Sequence, residues 1–180
     1  MADPPVPGAS GSPLNALLAW HRLGEQHFEG LQRLAHGSPD PSVETSARET
    51  ARAALAWFDG TAATHHRIQE DALFPELVES MAGSDPVCLR ELAAAASAGH
   101  RDVERLWRTL RPACVALSRG VAATLDADVV TALVEACRAN LERADRELIP
   151  MARRLLDDAA LARLRARLDE RGPTARTPAG

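Results

Sequence analysis

The chain has 180 residues, 26% of them charged, with a formal net charge of −4. That length suits one domain with a sizeable core, and that charge leaves no electrostatic footprint for nucleic acid or an anionic membrane. Lys and Tyr are absent, which excludes Schiff-base lysine chemistry and a tyrosinate ligand. Three cysteines (Cys88, Cys114 and Cys137) without Cys-x-x-Cys spacing argue against a disulfide framework and for a reducing, cytoplasmic setting.

Residues 1–12 carry Pro, Gly and Asp without an apolar stretch, so they read as a disordered leader rather than a signal peptide. Ser12-Pro13 starts a first helix that runs to about Ala35 and stops at His36-Gly37-Ser38-Pro39. A second helix follows Pro41-Ser42 and continues to about Met81. Gly83-Ser84-Asp85-Pro86 is a turn with a capping Asp, and a third helix runs from there to Leu110 or beyond. Pro112 either kinks that helix or restarts a short extension, because it lacks a backbone donor; Ser118-Arg119-Gly120 ends it. A fourth helix spans Asp126 or Asp128 to Leu156, with Val129, Val130, Leu133, Val134, Cys137, Leu141 and Leu148 at helical spacing. A fifth, Ala159 to Glu170, shows Leu161, Leu164 and Leu168 against a charged face, and 171–180 reads as a disordered tail. No segment alternates like a strand, and no apolar run approaches the roughly 20 residues needed to span a bilayer. The pattern predicts an all-α domain over 13–170: an up-down-up-down four-helix bundle with a short C-terminal helix.

The chemistry-bearing residues sit on these helices. Counting roughly 100° per residue, Trp20, Leu23, Leu31 and Leu34 gather around His27, which puts His27 at the centre of the first apolar stripe and His21 on its flank. On the third helix Ala93, Ala96, Val103 and Trp107 flank His100, with Glu104 one turn later. A carboxylate on an apolar stripe is costly unless paired or metal-bound, so His100-x-x-x-Glu104 is a candidate ligand pair. On the second helix, two registers compete: His66 with Glu70, near the middle of the stripe Ala51, Leu55, Phe58, Ala62, Leu73 and Leu77, or His65 with Gln69 toward its opposite edge. Only the first supplies a carboxylate. The fourth helix has no histidine; Asp145 is the ionisable group inside its stripe and Asn140 lies at the edge. Plainer roles compete throughout: Glu104 could pair with Arg108, Asp145 with Arg138 or Arg52, and Asp59 could accept from a ligand's outer side. Trp20, Trp57 and Trp107 suit packing anchors, and Cys114 and Cys137 small buried residues.

The second helix closes on Leu73-Phe74-Pro75 and the fourth on Leu148-Ile149-Pro150. With inward His27 and His100, and His65-His66 ahead of the first of these endings, the chain resembles the haemerythrin-like (HHE cation-binding) family over roughly residues 14–156. The resemblance implies a four-helix bundle around a non-haem di-iron centre with His and bridging carboxylate ligands. It associates the chain with dioxygen or another small diatomic ligand, with redox-linked sensing or with iron handling. Within the family's frame His27 and His100 match, and Glu104 falls where a second ligand of the third helix occurs. The His ten residues before the proline is His65, and the bridging Glu six before it is replaced by Gln69. On the fourth helix the same positions hold Asn140 and Ala144, with Asp145 at the Asp placement of oxygen-carrying members.

The expected metal ligands are therefore His27, His65 or His66, Glu70, His100, Glu104 and Asp145, binding iron. No nucleophile–base pair stands out, so no turnover reaction is expected; a di-iron oxidase or peroxide-handling protein is the enzymatic alternative. The competing non-enzymatic reading is a metal-free bundle that serves as an interaction module, its inward polar residues pairing with one another.

Overall fold

The computed structural model describes residues 12–37, 42–81 and 87–171, and among these every regular element is helical. The expected leader and tail (apart from Ser12 and Arg171), the break at 38–41 and the turn with its Asp85 cap lie outside the described residues. Five helices follow: α1 (Pro13–His36), α2 (42–79), α3 (Val87–Ser118), α4 (127–155) and α5 (Asp158–Arg171).

The helix ends follow local chemistry. Pro13 takes the first position of α1, where its missing N–H is not needed. The Asp126 carboxylate caps α4 by accepting from the Asp128 and Val129 N–H groups, and Asp157 accepts from the Ala160 N–H at the start of α5. Gly120, at φ +75°, closes α3 as the Val121 N–H turns back to the Ala116 carbonyl. That left-handed conformation suits glycine, and the Arg48 guanidinium lies where a Cβ would stand. Pro112 neither breaks nor restarts α3, which runs through it. Pro112 and Arg108, whose carbonyl it cannot pair, are both on the exposed face, where solvent can satisfy that carbonyl.

α1 packs against α2 and α4, and α3 packs against the same two, so four helices enclose one core. Leu17, Leu31, Leu73 and Leu133 are fully buried in it, each worth about 1.5–3 kcal/mol of transfer free energy. α5 lies across α1 and residues 63–73 of α2, burying Ala160, Leu164 and Leu168. Among the described residues no helix is long and apolar enough to cross a membrane.

Candidate metal centre

The two proline-terminated helices share one backbone device. Pro75 and Pro150 have no N–H for the carbonyl four residues back, and their rings crowd it. Both helices widen into a π turn just upstream. In α2 this is Gln69–Leu73, where the Phe74 N–H donates to the Gln69 carbonyl; in α4 it is Ala144–Leu148, where the Ile149 N–H donates to the Ala144 carbonyl. A further π segment, Trp57–Ala62, precedes His65. Each widened turn accommodates an extra residue, so every side chain after it is rotated relative to a regular helix.

That rotation decides the register of α2. After Trp57–Ala62, His65 and Gln69 turn fully inward, at 6% and 2% exposure, while His66 is half-buried and the Glu70 side chain keeps 38% exposure at the rim. On α1 the buried row is Leu14, Leu17, His21, Gly24, Phe28 and Leu31. Gly24 lets the rings of Phe28 and Trp57 come within 3.1 and 3.2 Å of where a Cβ would be, which draws this row, and His21 with it, into the core.

Four imidazoles from three helices meet there. His21 Nδ1 donates to Asp145 Oδ1 at 2.6 Å, and its Nε2 lies 3.1 Å from His65 Nε2. His100 Nδ1 donates to Glu70 Oε1 at 2.8 Å. His66 stacks flat on His100, ring centroids 4.0 Å apart, and the His65 and His66 rings are 6.1 Å apart. Trp20 presents its edge to His65, and Phe74 lies parallel to His100. Beside His21, His65 and His66 is a cavity of about 40 Å³, walled also by Trp57, Cys137 and Asn140. Its polar lining is incompletely satisfied: His65 Nδ1, His66 Nδ1 and Asn140 Nδ2 are buried without a hydrogen-bond partner, as is Gln69 Nε2, one turn after His65.

Burial sets the protonation of this cluster. It pushes the His65 pKa well below the ordinary imidazole range and that of His66 down to about 3, and the neighbouring imidazoles lower both further. His21 and His100 are also lowered by burial, against the raising effect of Asp145 and Glu70. All four rings are therefore neutral at pH 7, the state in which imidazole ligates a cation. The hydrogen-bond network fixes two tautomers: with Nδ1–H given to a carboxylate, His21 and His100 each keep a lone pair on Nε2. The Cys137 thiol is pushed up to about 12, chiefly by burial, and stays protonated.

Of the expected ligands, His65, His66, Glu70, His100 and Asp145 are brought together here, and His27 and Glu104 are not. His27 is half-buried and stacked on Trp57 at 4.8 Å between centroids; it stands roughly 90° around α1 from the buried row at 100° per residue. Glu104 is exposed, because Leu89, Ala96, Val103, Trp107, Leu110 and Cys114 all fall on the other side of His100. The plainer partners also differ. Arg138 pairs with Glu25, Arg52 donates to the Ser118 carbonyl, and Asp59 accepts from Trp107 Nε1 and Arg111. His21, expected on a flank, is at the centre of the site. Its place in the row with Leu14, Gly24 and Phe28 was the signal for it.

The chain that builds this imidazole-lined core, with a π turn before each of the two apolar-Pro endings, is matched by a family model. The haemerythrin HHE cation-binding domain matches residues 12–152. The chain belongs to that family. A comparison with curated proteins returns no match.

The donors of this family member depart from a carboxylate-bridged pair of iron ions. Asn140 lines the cavity, and Gln69 and Ala144 are buried at 2% and 3% exposure; where the family's frame expects a bridging carboxylate, an amide oxygen is the weaker bridge. Glu70 and Asp145 already serve the Nδ1 atoms of His100 and His21 from the rim, the latter at 47% exposure. Among the described residues no three His, Cys, Asp or Glu side chains stand in a metal-holding arrangement. The residues fit a bridged di-iron centre poorly; what they offer is a set of neutral imidazole nitrogens, the donor type suited to iron, zinc, copper and nickel.

Proposed function

We propose that this haemerythrin-like protein binds non-haem iron in its bundle core and serves dioxygen- or redox-linked sensing, or iron handling. The reading rests on one observation: four neutral imidazoles, from α1, α2 and α3, lie side by side in the core, His21 against His65, His65 beside His66 and His66 on His100, next to orphaned polar atoms. Burying His65 and His66 with the Nδ1 of each unpartnered is unfavourable for a purely structural core, and metal ligation is the chemistry that would repay it. A cavity of about 40 Å³ beside the rings has room for two or three waters, or for dioxygen or another small diatomic molecule next to a bound ion. The free thiols suit a cytoplasmic setting. No nucleic-acid or membrane partner belongs to this reading.

Metal analysis of protein purified from iron-replete growth tests it. Stoichiometric iron is expected; traces far below one equivalent would reject the proposal. A specific observation favours a second reading, in which the bundle is metal-free and works as an interaction module. His21–Asp145 and His100–Glu70 are complete hydrogen-bonded pairs without a cation. Under that reading the protein stays free of metal in every growth condition.

A further inference from the structure

We propose that α5 is a detachable strap: it holds residues 63–73 of α2, which carry His65 and Gln69, in their inward register, and it undocks as a unit while the four-helix bundle stays folded. The device works through the backbone and does not require an ion in the core.

The stretch it holds is short of regular support. Residues 63–68 are a brief α-helical run between two π segments, Trp57–Ala62 and Gln69–Leu73. His65 and Gln69 therefore owe their inward direction to widened turns rather than to one unbroken helical ladder. Each end is tied from another helix. Upstream, Asp59 accepts from Trp107 Nε1 and from Arg111, which fixes the first widened turn to α3. Downstream, Arg163 of α5 makes a fork on Glu76, immediately after Pro75, through two N–H···O contacts of 2.7 Å. The Glu76 side chain is only 14% exposed, so little water competes for it, and the charge-assisted fork has a fixed geometry. Between the two ties, α5 packs directly on residues 63–73 and on α1.

The packing of α5 also makes it separable. Its buried side chains are Ala160, Leu164 and Leu168, a single stripe at every fourth position, whereas Arg163, Arg167, Asp169 and Glu170 are exposed. A 14-residue helix with so charged a surface is marginal in water on its own, so it keeps its shape only while docked. α4 has ended before it: Leu156 is extended (φ −79°, ψ 125°), and Asp157 starts α5 by accepting from the Ala160 N–H. Undocking breaks the stripe and the Arg163–Glu76 fork and leaves α4 whole, which is how a local cooperative unit opens. An event at the surface of α5 thereby reaches the buried His65 and Gln69.

Amide hydrogen exchange of the full chain, read by mass spectrometry, tests this. In the wild type α5 and residues 63–73 should open together, at least about tenfold more often than α3 around Val103 and Leu110. Leu164→Asp combined with Leu168→Asp puts two carboxylates into the apolar seat and should undock α5. Residues 63–73 should then exchange at least about tenfold faster than α3 within the same variant, whose thermal transition stays cooperative. If 63–73 stay as protected as α3 once α5 is undocked, α5 is an appendage and the proposal is overturned. If the variant loses its cooperative transition, α5 is part of the core, which overturns it equally. Arg163→Gln is the milder variant and should speed exchange of α5 and 63–73 by one common factor, about 1.5- to 5-fold; acceleration of α5 alone would also overturn the strap. Arg167→Gln, whose side chain pairs with Glu170 inside α5, should leave 63–73 as in the wild type.

Discussion

α2 and α4 are two versions of one backbone carrying different chemistry. Each runs into an apolar-Pro ending, each widens into a π turn immediately before it, and each closes that turn with an N–H reaching back five residues. On this shared frame α2 places His65, His66, Gln69 and Glu70, whereas α4 places Asn140, Ala144 and Asp145. The backbone device is thus set by proline sterics and is indifferent to ligands. What α4 contributes is a carboxylate that reaches the site through His21 of another helix, so the donor count is lopsided although the helix geometry is matched.

The first way to break that comparison is to ask whether the two endings pack equally. Leu73 and Leu148 close the two π turns at 0% and 1% exposure. Leu73→Ala and Leu148→Ala should each cost about 2–5 kcal/mol, read from urea midpoints, and by similar amounts. A cost below about 1 kcal/mol for Leu148→Ala alone, against the core-truncation range, would show that α4 only imitates the packed end of α2.

The same comparison shows where a sequence is readable. Helix number, the starts at Pro13 and Asp126 and the end at Gly120 all followed from local rules of capping and period. So did the inward direction of His100. The register of α2 stayed open between two pairs, because a regular 100° frame carried through Trp57–Ala62 puts His66 near the middle of the stripe whereas the family's frame picks His65 with Gln69. The structure buries His65 with Gln69 and leaves Glu70 to grip His100 from the rim. π turns leave only a weak trace in sequence: the downstream prolines announce two of them, and no proline follows the third within its next turns. On α1 the difficulty was of another kind. Leu23 and Leu34 are as apolar as Leu14 and Leu17 but only half-buried, and the residue that fixes the inner face is Gly24, which has no side chain to count.

Asn140 sharpens the contrast further. A Cβ on Gly99 of α3 would overlap its side-chain amide, so α4 approaches α3 closely at the level of the site. Gly99→Ala should therefore destabilise by about 1–3 kcal/mol, the usual range for overpacking, although alanine is the better helix former. In an Asn140→Ala background the same change should become stabilising, by up to about 1 kcal/mol. A double-mutant cycle by thermal or urea denaturation checks both signs, and additive costs would mean that the amide swings clear.

Acid titration probes the imidazole side of α2. In the metal-free protein the His66 pKa falls from 6.5 in the unfolded chain to about 3 in the folded one. Between those values the unfolded chain binds the extra proton. The stability due to the neutral ring is complete above pH 6.5 and drains away as the pH falls toward 3. From pH 7 to 5.5 this one residue should remove about 1 kcal/mol, and His66→Gln should flatten the slope of stability against pH by that amount. A slope unchanged in the variant would mean that the ring already titrates near its ordinary value.

The smallest expected effect separates the two ties between α4 and α1. Asp145 reaches the buried His21, while Arg138, two turns earlier and outward, makes a forked pair with Glu25, both side chains nearly half exposed. Water screens the outer pair, and holding two long side chains costs entropy, so Arg138→Gln should change stability by only about 0.2–1 kcal/mol. Salt should reduce even that, since the Debye length shrinks to about 3 Å at 1 M. If Arg138→Gln costs as much at high salt as at low, the tie lies in the packing of its aliphatic stem against α1, and the division of α4 into a chemical inner face and an electrostatic outer one would have to be redrawn.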